Sequence, residues 1–252
     1  MRVAALYDIH GNAPALGAVL EDVRRAGVDR IVVGGDVLPG PMPRECLDFL
    51  ASVDVPADYI MGNGDREVLA HLRGTESLLP DSFRHLIAWT GKQLRPADVA
   101  HISSWPATTR VAIDGLGEAL FCHATPRNDV EIFTRLTPDE IVLPMIAGAG
   151  APIVVCGHTH MQFDRRFGST RVVNAGSVGM PFGEPGAYWL LLGPDVELRR
   201  TIYDFGDAAR VIEASSYPQA KEFAAMNVLS PTPEAEMLER MTAISAAAAP
   251  RP

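Results

Sequence analysis

The chain predicts an α/β fold of two packed, mixed β-sheets with helices on the outside. Three observations predict it. Up to Met61 the sequence alternates short apolar strands with amphipathic helices, the pattern of parallel strands joined by helical crossovers. Between Thr108 and Tyr203 the pattern changes to strand-like runs with turn residues between them. Separating these regions, residues 66–104 read as a helical insertion, either a lid or a surface for a second copy.

The elements follow in order. Arg2 to Tyr7 reads as a buried strand. Asn12 can cap the next helix, with Pro14 in its first turn, Gly27 beyond its end, and Leu16, Val19, Leu20 and Val23 on one face. Arg30 to Val33 is a second strand, Pro43 to Ala51 a helix, and Asp58 to Met61 a third strand. After the insertion, strands are expected at Thr108–Ile113, Ala119–Cys122, Ile153–Cys156, Arg171–Asn174, Ala187–Leu192 and Val196–Tyr203. Gly115 and Gly117 mark a hairpin turn. Thr137 to Ala147 reads as a helix capped by Thr137, with Pro138 at its first position. The expected organisation is one domain over residues 1–205 and a helical extension over 206–252, ending in a frayed AAAAPRP tail.

Composition narrows the function. With 47% hydrophobic residues the chain can bury a sizeable core. A net charge of −9 does not suit a stable nucleic-acid complex. No apolar run approaches the ~20 residues that span a bilayer, and the MRVAALYDIHGN start does not read as a signal peptide. Cys46, Cys122 and Cys156 form no CxxC pair and are expected to be reduced, which fits a cytoplasmic protein.

The informative feature is where polar residues interrupt apolar runs. Asp8 and His10 follow VAALY, Asp36 follows IVVGG, and Asn63 follows ADYIMG. His123 follows ALFC, while His158 and His160 follow PIVVCG. Five strands thus end in metal-competent groups, and ligands in open α/β sheets gather at the carboxyl ends of strands. In extended backbone, Asp8 with His10 and His158 with His160 would each point the same way. Nitrogen and oxygen donors without thiolate suit manganese, iron, nickel, cobalt or zinc. Seven donors exceed the needs of one such ion and suffice for two that share a carboxylate.

These motifs, Asp8-Ile9-His10, Gly35-Asp36, Gly62-Asn63-Gly64-Asp65, His123 and Gly157-His158-Thr159-His160, resemble those of the calcineurin-like metallophosphoesterases, in their small bacterial and archaeal branch. The stretch Asn174 to Gly179 is similar to the same branch, and the resemblance extends from Met1 to about Asp204. It implies a two-sheet sandwich and a dinuclear centre. Asp8, His10, Asp36 and His160 would hold one divalent ion, and Asp36, Asn63, His123 and His158 the other. Asp36 would bridge, and a hydroxide between the ions would attack a small phosphate ester, nucleotide-like substrates included. Asp36, Asn63 and His123 are the expected catalytic core. The sequence departs from the family at Gly64, where a histidine usually assists the leaving group. Its absence points to phosphodiesters, with Gly64 also leaving room for a second ester group. Asp65 is left as a helix cap. The alternatives are a phosphomonoesterase or protein phosphatase, and a non-catalytic metal-binding scaffold.

Arg66, Arg127 and Asn128 follow metal motifs and are candidates to contact substrate, with ion pairs and a turn as the competing readings. His71, His85 and His101 lie outside the pattern. Val178 to Gly186 reads as a loop packed by Phe182, with stacking on an aryl group or base as the alternative.

Overall fold

The computed structural model describes residues 1–75 and 81–248. Strand β1 (Val3–Leu6) leads to helix α1 (Ala13–Ala26), β2 (Arg30–Val33), α2 (Pro43–Ala51) and β3 (Ala57–Tyr59). Asn12 caps α1 by accepting from Ala15 N at 3.2 Å, and Gly27 closes it in the left-handed conformation. The insertion comprises α3 (Asn63–Leu72), α4 (Asp81–Gln93) and α5 (Pro96–Ser103), so its first helix starts earlier than expected. The part of this insertion at 76–80 lies outside the described residues.

Then come β4 (Thr108–Ile113), β5 (Gly117–Cys122), α6 (Asp139–Ile146), β6 (Ile153–Cys156), β7 (Phe163–Phe167), β8 (Thr170–Asn174), β9 (Ala187–Leu192) and β10 (Val196–Thr201). The chain ends in α7 (Phe205–Glu213), α8 (Ala220–Ala224), a π-helical turn (Ala225–Leu229) and α9 (Glu234–Ala248). The expected frayed tail falls mostly on 249–252, outside the described residues.

Two differences from the sequence pattern have clear causes. Strand β7 was not expected, because Asp164, Arg165 and Arg166 hide the alternation of an edge strand whose Phe163 and Phe167 are buried. Helix α6 is entered from Pro138 rather than capped by Thr137, whose buried hydroxyl instead accepts from Thr134 N at 2.9 Å.

The strands form two five-stranded sheets, in orders β10-β9-β1-β2-β3 and β4-β5-β6-β8-β7. Pairing is parallel for β1 with β2, β2 with β3, β5 with β6, and β6 with β8, and antiparallel elsewhere. The sheets pack face to face through Tyr7, Val32, Phe121, Val155 and Leu190. Tyr7 keeps its hydroxyl satisfied there by donating to Val155 O at 3.0 Å. Helices α1, α2 and α3 cover the outer face of the first sheet, and α6 covers the second. The C-terminal helices pack through Ile212, Phe223 and Val228 onto Leu86 of α4. Among the described residues, no helix is long and apolar enough to cross a membrane.

Candidate metal centre

Strands β1, β2, β3, β5 and β6 deliver Asp8, Asp36, Asn63, His123 and His158 from their carboxyl ends, as expected. The backbone there is not extended. Asp8, His10, Asp36, His158 and His160 have φ of 54°, 46°, 51°, 66° and 60°, and they are the non-glycine residues with positive φ among the described residues. Such conformations cost roughly 1–3 kcal/mol each and persist only where the surroundings impose them. The like-facing side chains of the DxH and HxH motifs therefore come from tight turns after the strands, not from strand alternation.

Several residues impose those turns. Asp8 N and His10 N donate to Gly35 O and Asp36 O at 3.1 and 2.9 Å, locking the first two motifs together. Ser177 Oγ and Gly179 N donate to Asp8 O at 2.8 and 3.0 Å. A Cβ at Gly179 would lie 1.8 Å from Ile9 O, so only glycine permits this approach. Asn174 Nδ2 donates to Gly157 O at 2.7 Å and to Thr159 Oγ1 at 3.1 Å, bracing the HTH turn. The buried Asp65 carboxylate accepts from Asp36 N, Leu38 N and Gly62 N at 2.8, 2.9 and 3.1 Å. Its role thus exceeds helix capping, because it clamps the turn that carries Asp36 to the start of α3.

The side chains converge. Asp36 Oδ2 lies 3.7 Å from His10 Nε2 and 3.5 Å from His123 Nε2. Asp8 Oδ1 lies 3.4 Å from His160 Nε2 and 3.9 Å from His123 Nε2. Asn63 Oδ1 is 3.0 Å from both His123 Nε2 and His158 Nδ1. Two groups have donor atoms mutually within 4.8 Å: Asp8, His10 and His160, and Asp8, Asp36 and His123. The opposite nitrogens of His10, His123 and His160 face the carbonyls of Pro39, Gly34 and Met180 at 3.3, 3.0 and 2.7 Å. A carbonyl can only accept, so each Nδ1 carries hydrogen, and the inward Nε2 is the atom that sheds any second proton and offers a lone pair when a cation binds.

This donor set fits divalent cations. Asp8 Oδ1 is fully buried without a hydrogen-bond partner, a costly state that a bound cation relieves. The Asn63 amide likewise lies 3.0 Å from two imidazole nitrogens, which gathers three potential ligand groups at one point. Electrostatics agree. Burial disfavours the charged form of Asp36, but the adjacent His123 outweighs this and holds the carboxyl well below the usual carboxylate range. Burial would lower His123, yet Asp36 and then Asp8 push it up to about 10. Burial, aided by the His123 charge, takes His158 down to about 4. Burial and the Asp36 charge push Asp65 up to about 8, against the N–H donors of Leu38 and Gly62.

The substrate-binding candidates are placed otherwise. Arg66 forks onto Asp129 at 2.7 and 3.3 Å and reaches Glu67 at 2.9 Å. Arg127 forks onto Glu131 and donates to Pro144 O. Asn128 Oδ1 accepts from Val130 N and Glu131 N, the bonding of a turn. These side chains have protein partners: Arg127 meets a carboxylate four residues along its own loop, Asn128 the backbone of that loop, and Arg66 an aspartate 63 residues away. His101 packs edge-on against Tyr59 and Trp105.

Gly64 also differs from expectation. A Cβ there would lie 2.3 Å from Leu38 O and 2.9 Å from Pro39 Cδ, so backbone occupies the space that a second ester group was expected to use. Gly64 N donates to Asp36 Oδ1 at 2.7 Å, and that close approach requires glycine.

A cleft of about 450 Å³ opens beside His10, Asp36 and Asn63. The far wall is built by Phe83 and Leu86 of α4, Phe223 of α8, Met226 of the π-helical turn and Met237 and Arg240 of α9. Sequence reasoning missed this wall. Its residues carry no motif, and only Phe182, which stacks on His160 at 5.7 Å between centroids, had been weighed for such a role.

Comparison with known proteins agrees with this geometry. Residues 1–193 match the model of the calcineurin-like phosphoesterase superfamily domain. An uncharacterised protein of Methanocaldococcus jannaschii is 28% identical over 245 residues, covering 86% of this chain and 94% of the relative. A metallophosphoesterase from Sphaerobacter thermophilus superposes with a TM-score of 0.71 at 26% identity, covering 90% of this chain and 99% of its own. A hypothetical protein from Pyrococcus horikoshii shares the fold, with a TM-score of 0.77 at 20% identity over 92% of this chain and 99% of its own.

Proposed function

Because the chain belongs to the calcineurin-like phosphoesterase superfamily, we propose that it is a phosphodiesterase working with two divalent ions. Asp8, His10, Asp36 and His160 would hold one ion, and Asp36, Asn63, His123 and His158 the other. The observation that carries this reading is the strain at the ligand positions: Asp8, His10, Asp36, His158 and His160 are all left-handed. Five such turns at the ligand positions favour a maintained metal centre, and turnover separates the enzyme from a metal-binding scaffold. Asp36 is the proposed bridge, since its Oδ2 faces His10 on one side and His123 on the other.

Divalent ions at this position supply charge for an anionic phosphoryl group and make a water-derived nucleophile available near neutral pH. The protein's part is to orient. Backbone carbonyls fix Nδ1–H of His10, His123 and His160, so Nε2 is the atom each would offer an ion. Gly64 N and the start of α3 hold one Asp36 oxygen, leaving the other to face the centre. With glycine at 64, no side chain there protonates the leaving oxygen. Esters whose leaving group tolerates negative charge lose least, and a diester brings one negative charge where an alkyl monoester brings two. This favours aryl or nucleotide-like diesters.

The test is metal analysis and turnover after reconstitution with manganese. Close to two ions per chain, and faster hydrolysis of bis(p-nitrophenyl) phosphate than of alkyl monoesters, are expected. One ion or fewer at saturation would overturn the dinuclear reading. Equal rates on alkyl monoesters would overturn the diester preference, and stable metal binding without turnover of any ester would favour the scaffold.

A further inference from the structure

We propose that the cleft beside the metal centre is a subsite for an aromatic ester group, so that the substrates are diesters with an aryl or similarly flat, apolar substituent; this rests on the phosphodiesterase reading. Four rings, Phe83, Phe182, Tyr217 and Phe223, line the cleft. Ring faces and edges suit a flat apolar group. Phe83 and Met226 are 50% and 57% exposed, so the cleft presents apolar surface that a ligand can cover. The stacking of Phe182 on His160 makes the aromatic wall continuous with a proposed ligand, so an ester phosphate at the centre places its substituent against these rings. A volume of about 450 Å³ is within the ~300–1,000 Å³ of small-molecule sites.

The charges select the same class. Arg240 lines the cleft and makes no hydrogen bond or ion pair among the described residues, so its guanidinium is available to an anion. Glu222 lines it too, and its carboxylate opposes a dianionic monoester more than a monoanionic diester. Tyr217, Phe223, Met226 and Arg240 lie beyond residue 193, where the family match ends. The subsite is therefore built jointly: Phe83 and Phe182 come from the matched region, and the C-terminal helices complete it.

The experiment has two readouts on the manganese-loaded full chain. Calorimetry at low temperature compares diphenyl, dibutyl and dimethyl phosphate, each ester being checked as intact at the end of the titration. Kinetics compare bis(p-nitrophenyl) phosphate with methyl p-nitrophenyl phosphate, which share a leaving group. Diphenyl phosphate is expected to bind about ten-fold tighter than dimethyl phosphate, with the bis-aryl ester preferred about ten-fold in kcat/KM. Met226→Gln, a change at an exposed position, should reduce both ratios at least about three-fold, chiefly through KM. Arg240→Gln should weaken all three phosphates alike, leaving the ratios intact. Equal binding of diphenyl and dimethyl phosphate would overturn the subsite. Tighter binding of dibutyl phosphate would overturn its aromatic character in favour of a flexible chain. If diphenyl phosphate is preferred but no ester is hydrolysed with any metal, the subsite stands and the phosphodiesterase reading falls.

Discussion

Asp65 Oδ2 accepts from Asp36 N at 2.8 Å, so a buried carboxylate in the first turn of α3 sets the conformation of a proposed ligand 29 residues earlier. The same carboxylate holds Leu38 N and Gly62 N. It thereby joins the ends of β2 and β3, where Asp36 and Asn63 are presented.

Asp65→Asn tests that clamp. The amide keeps one oxygen but turns an NH₂ group toward a backbone donor, leaving at least one buried N–H unsatisfied. A loss of roughly 1–3 kcal/mol is expected. Metal affinity should fall as well, because Asp36 is no longer held. Denaturant unfolding and metal titration check both, and unchanged metal affinity would reduce Asp65 to a helix cap.

Gly64→Ala tests the close approach of Leu38. The added methyl would meet a carbonyl oxygen at 2.3 Å, so the segment carrying Leu38 and Pro39 must shift. Overpacking of this kind costs roughly 1–3 kcal/mol. Reduced stability and reduced metal content are expected. Gly64→His should show the same defects and should not gain monoesterase activity. A gain would mean that the loop yields easily.

The third prediction concerns pH and metal removal. His123, pushed up to about 10 by Asp36 after burial is overcome, holds a proton in the metal-free fold that the unfolded chain loses near pH 6.5. Its contribution to stability is complete below the unfolded value and is lost as pH rises toward 10. The metal-free protein should therefore lose stability between about pH 6.5 and 10. Ligation displaces the His123 proton, so metal affinity should rise over that window and binding should release protons. Thermal melts with chelator or manganese, and calorimetry in buffers of different ionisation enthalpy, check this. A flat metal-free profile with no proton release would contradict it.

Asp8→Asn and Asp36→Asn separate the two carboxylates. If Asp36 bridges, Asp36→Asn should lose both ions, whereas Asp8→Asn should keep one. Metal content after dialysis against manganese decides, and the reverse pattern would make Asp8 the shared ligand, as its membership of both donor groups allows.

The sequence by itself determined nine of the ten strands, their chain order and the metal-competent residues at the ends of five. These depend on short-range patterning: an apolar run, then Asp8, Asp36, Asn63, His123 or His158 within a few residues. Tertiary structure decided the rest. Left-handed backbone at the ligands follows from contacts made across the fold, such as Asp36 with Asp65 and Asp8 with Ser177. The commitment of Arg66 to Asp129 is a pairing over 63 residues, and the closeness of Gly64 to Leu38 arises where two chain segments cross. The wall built by α4, α8 and α9 exists only because buried apolar side chains such as Leu86 and Phe223 draw the C-terminal helices over the centre. Hydrophobic packing is non-directional, so the pattern of those helices shows that they bury a face but not which site that face will cover.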